Sequence, residues 1–391
     1  MRTSGSNLYF AEIIGNFNQG GDGRVANHLA CGLEHAGARA TCISLRRGGN
    51  ARNEDGPQES LDLGSRRRIV GSLIAFGRLV RFIRRARPSV LHVHGQQSLV
   101  VAALAIIGLR NRPQFWFTWH NSEGVFDAMG LRGWLMRWAV RRCDMIFGAS
   151  RSIVDRMRAT LGNFPRIEVF RNGVPVMEPT TGMQADEPVI CWCGRIVPSK
   201  DPRAFIRAAA VLNREGLRFH AVLAGDSPAH LGWFMDETRA LAAELGLADI
   251  VEFPGWVDDV AALIRRSAIG VQTSHTEGLS MTLLEQMMAG LAVVATDVGD
   301  TSIAVEDGKS GYVIPAKDDT ALVDRLRRLL EDPRHRTQIG AAARQRAIAE
   351  FSLASMARQA REAYQVIAVQ RKQAGEAQPP GPGQHVAGEQ G

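Results

Sequence analysis

The sequence predicts an α/β protein made of two Rossmann-like domains, each built on a doubly wound parallel sheet. Short apolar runs alternate with helical patterns along the chain, which is typical of parallel strands covered by helices on both faces. Eleven such runs can be read, more than one open sheet of this kind usually holds. The length of 391 residues also exceeds that of one ordinary domain.

The predicted strands fall into two groups. The first half holds Leu8–Ile14, Ala40–Leu45, Val90–His94, Phe115–Trp119 and Met145–Ala149. The second half holds Val189–Cys193, Phe219–Ala224, Ile250–Phe253, Ile269–Thr273, Ala292–Thr296 and Tyr312–Ile314. Between the two groups, the segment 178–188 is polar and bracketed by proline, which is typical of a linker.

These patterns predict the domain organisation. An N-terminal domain covers residues 1–180 and a C-terminal domain covers 181–351. A long helical pattern after Ser352 predicts a terminal helix over 352–372. Residues 373–391 are rich in Gly, Pro, Gln and Glu, and we expect them to be disordered.

The composition indicates a soluble protein with a large core, because 45% of the residues are hydrophobic and 22% are charged. No apolar run approaches the ~18 to 20 residues of a spanning helix, and the N-terminus lacks the pattern of a signal peptide. The five cysteines form no disulfide framework. We therefore expect a reduced, cytoplasmic chain.

The charge is distributed unevenly. The net charge is +7, but residues 1–180 carry +12 and the remainder −5. A basic surface attracts anionic lipid, a phosphorylated acceptor or nucleic acid, and a solvated arginine-rich surface is the alternative. The helical pattern around Trp134 and Trp138, which arginines flank, has two similar interpretations: a helix on a membrane surface or a core-facing amphipathic helix.

A glycine pattern near the N-terminus offers one functional hypothesis. Gly21–Ala26 matches the dinucleotide pattern G-x-G-x-x-A, and Arg46 and Arg47 stand where an NADP enzyme holds the 2′-phosphate. However, Gly21 comes seven residues after Ile14, whereas the pattern places its glycines directly after the strand. A glycine-rich loop that leads into a helix still predicts a contact with phosphate.

The second half carries a more specific motif. The predicted strand Val189–Cys193 runs into Gly194-Arg195, and Lys200 follows five residues after Arg195. Both cations therefore stand at the carboxyl end of a parallel strand, where open α/β sheets bind ligands. A guanidinium fork and a mobile ammonium group suit phosphate oxygens; a surface pair near a helix start is the alternative.

Another motif surrounds a predicted helix over 281–289. Ser280 is typical of an N-cap and Gly290 of the residue after a helix end. The free N–H groups at the helix start, which form an anion site, are those of Ser280, Met281 and Thr282. Glu277 before the helix and Glu285 within it bracket this site. The arrangement suits a diphosphate between two polyols, as in a sugar nucleotide.

These motifs resemble glycosyltransferase family 4 (group 1), whose members have the GT-B fold. In the second half the similar segments are Gly194-Arg195…Lys200 (G-R-x4-K), Leu223-Ala-Gly225-Asp226, the nucleobase-loop segment Val251–Val257, Glu277…Glu285 (E-x7-E) and Ala289–Gly299. In the first half they are Gly20-Gly21, His92-Val-His94-Gly95, Thr118-Trp-His120 and Arg171–Val174.

The resemblance implies a retaining glycosyltransferase that uses a UDP- or GDP-sugar, with its active site in a cleft between the domains and its C-terminal helix returning toward the N-terminal domain. The implied acceptor is a lipid-linked, cell-envelope or polysaccharide saccharide. No metal and no cofactor beyond the nucleotide-sugar co-substrate are expected, and no nucleic acid partner. Together with the basic half, this predicts a cytoplasmic enzyme, peripheral on the inner face of the membrane.

The resemblance also implies roles for single residues. The implied catalytic residues are His120 lining the sugar site, Arg195 and Lys200 on the diphosphate, and Glu277 on the sugar hydroxyls. Glu285 binds the ribose. The remaining contacts with the nucleotide sugar are Gly20, Gly21, Gly194, Gly225, Phe253, Gly255, Val257, Gly278, Leu279, Ser280, Met281 and Thr282.

The sequence departs from the family pattern at several positions. The family's E-G-F-x-P has Leu279, Ser280 and Met281 here, which alters the predicted sugar pocket. Two further replacements are Asp300 for a glycine and Arg171 for a proline. His92 and His94 are of metal-ligating type but lack a third ligand at a suitable spacing, so we interpret them as packing residues.

Other functions remain alternatives at this point. A sugar-nucleotide epimerase or a phosphorylase would use the same architecture. An NADP-dependent oxidoreductase rests on the pattern at Gly21. An arginine-rich nucleic-acid binder would have no need for Glu277 and Glu285.

Overall fold

The computed structural model describes residues 8–15, 20–45, 58–60, 68–120, 130–162, 164, 166–183, 185 and 187–375. The chain divides into two compact units. Unit 1 consists of Met1–Gly173 and Leu353–Gly391, and unit 2 consists of Val174–Ser352. This division falls between Gly173 and Val174. The domain boundary predicted at residue 180 stays a prediction.

Unit 1 contains a seven-stranded sheet in which all paired strands are parallel. Its strands are β1 (Tyr9–Ile14), β2 (Arg39–Ser44), β3 (Gln58–Ser60), β4 (Val90–His94), β5 (Gln114–Trp119), β6 (Met145–Gly148) and β7 (Ile167–Val169). Their order is β3-β2-β1-β4-β5-β6-β7. The order reverses between β1 and β4, so this pair is the topological switch point.

The helices that accompany this sheet are α1 (Gly20–His35), α2 (Arg68–Ala86), α3 (Gln96–Ala105), α4 (Gly130–Val140) and α5 (Arg151–Leu161). Every residue of β1, β4 and β5 is buried. Strands covered on both faces need apolar side chains at successive positions, which explains why these segments read as continuous apolar runs.

Unit 2 contains a six-stranded sheet, also parallel throughout. Its strands are β8 (Val189–Cys193), β9 (His220–Ala224), β10 (Val251–Gly255), β11 (Ile269–Gln272), β12 (Ala292–Thr296) and β13 (Tyr312–Ile314). The order β10-β9-β8-β11-β12-β13 reverses between β8 and β11. This pair is therefore the switch point of the second sheet.

The helices of unit 2 are α6 (Pro202–Arg214), α7 (Gly232–Glu244), α8 (Val260–Arg266), α9 (Met281–Met288), α10 (Thr301–Ala304), α11 (Asp319–Glu331) and α12 (Pro333–Phe351). Helix α6 shows why such segments fold as they do. Asp201 caps its first turn by accepting a hydrogen bond from the Ala204 N–H at 3.2 Å, and Pro202 occupies its first position. Its apolar face is buried against the sheet.

The last helix, α13 (Leu353–Gln373), belongs to unit 1 and packs along α1. Its end is anchored by the buried Arg371, which donates to Asp144 Oδ2 at 2.7 Å. The same guanidinium donates to the carbonyl oxygens of Arg112 and Pro113, both at 3.2 Å. The predicted return of the C-terminal helix to the N-terminal domain is thus confirmed.

The prediction of strands holds for all eleven segments, and no strand end is shifted by more than two residues. It missed the short strands β3 and β7, which lie at the two edges of the first sheet. The predicted disordered tail lies outside the described residues from 376 onward. None of the helices in the described ranges combines the length and apolar character that crossing a bilayer requires.

Candidate functional site

Three glycines lie at the carboxyl edge of the sheet in unit 2. The Gly194 N–H donates to the Ala224 carbonyl at 3.0 Å, and the Gly225 N–H donates to the Gly255 carbonyl at 2.8 Å. Gly225 has φ +144°, and a Cβ added there would overlap the carbonyl oxygen of Gly194. Only glycine at position 225 allows the ends of β8 and β9 to approach this closely.

The two predicted cations follow β8 but have different environments. Lys200 ends a short 3₁₀ turn, and its Nζ forms an ion pair with Glu277 Oε1. Arg195 is exposed, and no hydrogen bond or ion pair joins it to the part of the chain that the structure describes. The structure therefore brings Lys200 and Glu277 together and leaves the Arg195 guanidinium available at the same edge.

Residues that the sequence analysis missed hold the loops after β8 and β11 together. The Thr273 hydroxyl lies 3.0 Å from the Lys200 carbonyl and 2.7 Å from the Asp201 carbonyl, and it accepts a hydrogen bond from Trp192 Nε1 at 3.0 Å. His275 Nε2 lies 3.1 Å from Asp201 Oδ2. These contacts fix the backbone that carries Lys200.

The loop that carries Glu277 is also held from both sides. Ser274 donates to Glu277 Oε1 at 2.8 Å, and the Asp300 N–H donates to the Gly278 carbonyl at 2.8 Å. A Cβ added to Gly299, which has φ +60°, would overlap that same carbonyl. Glu277 is thus positioned by three neighbouring segments of unit 2.

Helix α9 begins and ends as the sequence predicts. Ser280 Oγ accepts a hydrogen bond from the Leu283 N–H at 3.3 Å, and Gly290 follows the helix with φ +83°. Glu285 is buried in the helix. Among the other predicted contacts, Leu279 is buried, whereas Gly278, Ser280, Met281 and Thr282 are partly exposed.

The predicted nucleobase segment, Val251–Val257, consists of β10 and the two residues that follow it. Phe253 is half-buried against the sheet core, and Arg239 Cζ lies 5.2 Å from the centre of its ring. Trp256 is exposed and donates through Nε1 to Asp258 Oδ1 at 3.1 Å. Val257 is partly buried. Trp256 is therefore the freely accessible aromatic ring of this segment.

In unit 1, a buried polar cluster lies at the switch point between β1 and β4. His94 Nε2 lies 2.8 Å from Glu12 Oε2, and His94 Nδ1 lies 3.0 Å from His120 Nε2. The planes of the His94 and His120 rings differ by 15°. His92 Nε2 lies 2.7 Å from Thr118 Oγ1. His120, predicted to be catalytic, is therefore linked through His94 to a carboxyl group inside the sheet.

Burial controls the protonation of this cluster. It lowers the pKa of His92 and of His94 to about 3, because a charged ring is poorly solvated there. Burial also raises the pKa of Glu12, although the hydrogen bond and charge of His94 oppose this. The pKa of His120 is lowered by burial, against the opposing charge of Asp22. The neutral forms of all three histidines are favoured.

Glu12, His92 and His94 are residue types that also bind metal ions, and their donor atoms lie within 4.8 Å of one another. However, Glu12 Oε2 lies 2.8 Å from a nitrogen of each histidine. This is a hydrogen-bonding distance, shorter than the roughly 3.3 Å that separates two ligands on tetrahedral zinc. The three side chains are thus packed in direct contact with one another, closer than the ligands of a bound zinc ion would be.

The N-terminal glycines lie within a helix. Gly20 and Gly21 are the first two residues of α1, and Gly23 follows in the same turn. In the dinucleotide fingerprint the first glycine forms the tight turn directly after the strand. Gly21 instead lies inside α1, seven residues after Ile14 at the end of β1, so the structure gives no support to the oxidoreductase alternative. A phosphate contact by Gly20 and Gly21 stays a prediction.

Two family models match consecutive parts of the chain. Residues 19–178 match the model described as Glycosyltransferase Family 4. Residues 177–346 match the model described as Glycosyl transferases group 1. The second match contains every residue of the site in unit 2, and the first contains His94 and His120.

Individual relatives are similar over part of their length. A D-inositol 3-phosphate glycosyltransferase of Frankia alni is 34% identical over 206 residues, which are 51% of this chain and 50% of the relative. A lipopolysaccharide core biosynthesis mannosyltransferase of Rhizobium leguminosarum bv. viciae is 30% identical over 226 residues, 56% of this chain and 63% of the relative. The chain spans about half the length of the curated relatives it matches.

Solved structures share the fold. The chain aligns with Anabaena Alr3699/HepE in complex with UDP at a TM-score of 0.75 and 18% identity, covering 92% of this chain and 100% of the other. It aligns with a glycosyltransferase from Rickettsia africae at a TM-score of 0.74 and 18% identity, covering 93% and 99%. The predicted two-domain α/β fold is therefore confirmed.

Proposed function

Because this chain belongs to the group 1 glycosyltransferases of family 4, we propose that it transfers a sugar from a UDP- or GDP-sugar to an acceptor hydroxyl with retention of configuration. The observation that carries the proposal is the group of charges at the switch point of unit 2. Arg195 and Lys200 follow β8, Glu277 follows β11, and helix α9 begins directly behind Glu277. Ligands of open α/β sheets bind at such an edge.

The charges suit a diphosphate leaving group. As the glycosyl bond breaks, negative charge grows on the diphosphate, and fixed cations lower the energy of that state more than of the ground state. Arg195 makes no ion pair with the described residues, so binding a phosphate costs it no partner. Lys200 exchanges its contact with Glu277 for the diphosphate. The departing phosphate then accepts the proton of the acceptor hydroxyl.

Lys200 and Glu277 act together in this scheme. When the ammonium group of Lys200 turns to the diphosphate, Glu277 Oε1 loses an ion pair but keeps the hydrogen bond from Ser274. Its free lone pairs then accept hydrogen bonds from hydroxyls of the donor sugar. Glu285 accepts from the ribose, and the loop around Phe253 and Gly255 surrounds the base. We assign His120 to the sugar on the family resemblance alone.

We further propose that no metal ion and no cofactor take part, because Arg195 and Lys200 supply the positive charge that a divalent ion would otherwise bring to the diphosphate. The nucleotide sugar is the co-substrate.

A lipid-linked or cell-envelope saccharide is the proposed acceptor, reached from an anionic membrane surface. Helices α2, α3 and α4 pack side by side in unit 1 and contain no acidic residue. The sequence holds ten arginines and no Asp or Glu between residues 63 and 122. The exposed large apolar side chains of these three helices and of the turn after α3 are Ile74, Phe76, Leu104, Ile107, Leu131 and Trp134. Cationic and apolar groups together suit an anionic lipid surface.

A donor panel tests the proposed reaction. The full chain is incubated with labelled UDP- and GDP-sugars, with and without mixed envelope glycolipids, and hydrolysis and transfer are scored. We expect one donor to be consumed well above the others, with the anomeric configuration retained in the product. The proposal would be contradicted if calorimetry showed that the chain binds neither the UDP-sugars nor the GDP-sugars.

A further inference from the structure

The polar cluster of unit 1 contains a carboxyl group with almost no partners. Glu12 lies in the middle of β1, between apolar neighbours, and its side chain has no exposed surface. Among the described residues its one hydrogen bond is to His94, because His92 Nδ1 lies outside the angle that a hydrogen bond requires. Glu12 Oε1 has no hydrogen-bond partner among them.

An ionised carboxylate is costly in such a place. Burial of a charge without a cation and with a single hydrogen bond carries a large desolvation penalty. No arginine or lysine pairs with Glu12 among the described residues, and its two histidine neighbours favour their neutral forms. The neutral carboxylic acid is the form that this environment accommodates. Of the two histidine nitrogens 2.8 Å from Glu12 Oε2, only His94 Nε2 has the hydrogen-bond geometry to accept its O–H.

The positions of the remaining protons follow in order. A neutral imidazole carries one N–H. If His94 Nε2 accepts from Glu12, His94 Nδ1 must hold the proton and donate to His120 Nε2 at 3.0 Å. His120 Nε2 is then an acceptor, so the proton of His120 lies on Nδ1. The nearly coplanar rings suit such a chain of donors.

The far end of this chain lies at the carboxyl edge of the sheet. His120 directly follows β5, and a Cβ added to Gly95, after β4, would meet Asp22 Oδ2 at 3.6 Å. The carboxylate of Asp22 therefore lies over the same strand ends, and its charge acts on His120. This negative charge favours an N–H on the outward nitrogen of His120.

We propose that Glu12, held as a neutral acid, and His94 are positioning residues that fix His120 as the Nδ1–H tautomer, which donates a hydrogen bond to an oxygen atom of the sugar substrate. The identity of that oxygen rests on the proposed function, whereas the tautomer does not. A chain of three donors that begins inside the sheet orients one hydrogen at the edge without placing a charge there.

Two variants of Glu12 separate this role from a packing role. In Glu12→Gln, the amide N–H₂ replaces the acid O–H as donor to His94, so we expect sugar transfer within about threefold of the unmodified chain. In Glu12→Leu the donor is lost, and we expect transfer to fall by about 10- to 100-fold, as when a partner that fixes a histidine tautomer is removed. Free-nucleotide binding in unit 2 should be unchanged in both.

Spectroscopy of the full chain gives the decisive readouts. Ring ¹⁵N shifts should show His120 protonated on Nδ1 in the unmodified chain and in Glu12→Gln, and a mixture of tautomers in Glu12→Leu. The infrared band of a protonated carboxyl group should be present in the unmodified chain and lost in Glu12→Gln. If Glu12→Leu does not fold, the comparison of the other two chains still decides the assignment.

Three results would overturn the proposal: His120 protonated on Nε2 in the unmodified chain, equal losses of transfer in Glu12→Gln and Glu12→Leu, or a stoichiometric metal ion in the purified chain that disappears with Glu12→Gln. The tautomer is measured without substrate. A correct tautomer in a chain that transfers no sugar would therefore refute the proposed function and leave the assignment of Glu12 standing.

Discussion

The two sheets carry polar groups at the same topological position, yet these groups differ in charge and in access to water. In unit 2, Lys200 and Glu277 are charged, with side chains 23% and 12% exposed. In unit 1, the Glu12, His92 and His94 side chains are fully buried; burial favours the neutral forms of the two histidines and raises the pKa of Glu12. A partly hydrated ion pair can exchange partners with an incoming ligand, whereas a buried neutral cluster holds one arrangement. One edge is suited to binding charge and the other to orienting a group.

The largest effect should come from the cations of unit 2. Arg195→Ala and Lys200→Ala should each lower the rate of transfer by about 10²–10³-fold, because each removes a charge from the leaving diphosphate. Arg218→Ala is the matched control, since this exposed arginine pairs with Glu187 away from the switch point. Steady-state kinetics on folded variants checks the prediction. Full activity in either site variant would refute the assignment to the diphosphate.

A substitution at the glycine contact tests whether the edge of unit 2 is rigid. Gly225→Ala should lower the free energy of unfolding by about 3 kcal/mol or more, because the added Cβ meets the Gly194 carbonyl. Gly246→Ala is the control: it also has positive φ, but an added Cβ meets nothing within 4 Å. It should cost only about 1–2 kcal/mol. Denaturant unfolding measures both free energies. Equal losses of stability in the two variants would show that the close approach of Gly225 to the Gly194 carbonyl does not exclude a side chain.

The charge contrast between the units can be tested on membranes. Arg84→Gln combined with Arg85→Gln should weaken binding to anionic vesicles by about 2 kcal/mol, since each basic residue near such a surface contributes about 1 kcal/mol. Added salt should weaken the binding of the unmodified chain. Co-sedimentation checks this, with Arg214→Gln and Arg218→Gln in unit 2 as the control pair. Binding that is absent or insensitive to salt would leave the basic helices as a solvated surface.

A smaller effect should separate the two carboxylates of unit 2. Glu285→Ala should weaken binding of the free nucleotide by about tenfold, or 1.4 kcal/mol, through loss of the ribose contact. Glu277→Ala should leave that binding unchanged or tighter, because Lys200 loses the partner with which the diphosphate competes. Glu215→Ala, an exposed glutamate paired with Arg327, is the control. Calorimetry with the nucleotide alone decides, and equal losses in both site variants would contradict this division of roles.

The smallest effect should follow metal removal. Transfer should persist in excess EDTA, because Arg195 and Lys200 are fixed parts of the chain. Activity with and without EDTA, followed by addition of magnesium or manganese, measures this. Complete loss that either ion restores would show that the cations of unit 2 do not replace a metal.

Much of the fold could be predicted because each central strand is buried on both faces and therefore reads as an apolar run. The edge strands β3 (QES) and β7 (IEV) have three residues each and contain polar side chains, so they leave no such pattern. The equally short edge strand β13 (YVI) is apolar and was predicted. Helix α9 was predictable because its cap at Ser280 and its terminal Gly290 are local signals.

The contacts within each site were less accessible to prediction. Thr273 meets Asp201 from 72 positions away, and Glu12 meets His94 across 82 positions. Spacing along the chain carries no information on such pairs, because sheet order decides which strand ends become neighbours. One signal was available: Glu12 is the single acid within the apolar strand Tyr9–Ile14.

Helix α13 makes unit 1 discontinuous, with the whole of unit 2 inserted between Gly173 and Leu353. During synthesis on the ribosome, unit 2 therefore emerges entire before the last element of unit 1 exists. Until Arg371 arrives, Asp144 and the carbonyl groups of Arg112 and Pro113 lack the guanidinium that joins them. The unit that begins first is thus completed last, because its core can close only after α13 has been synthesised.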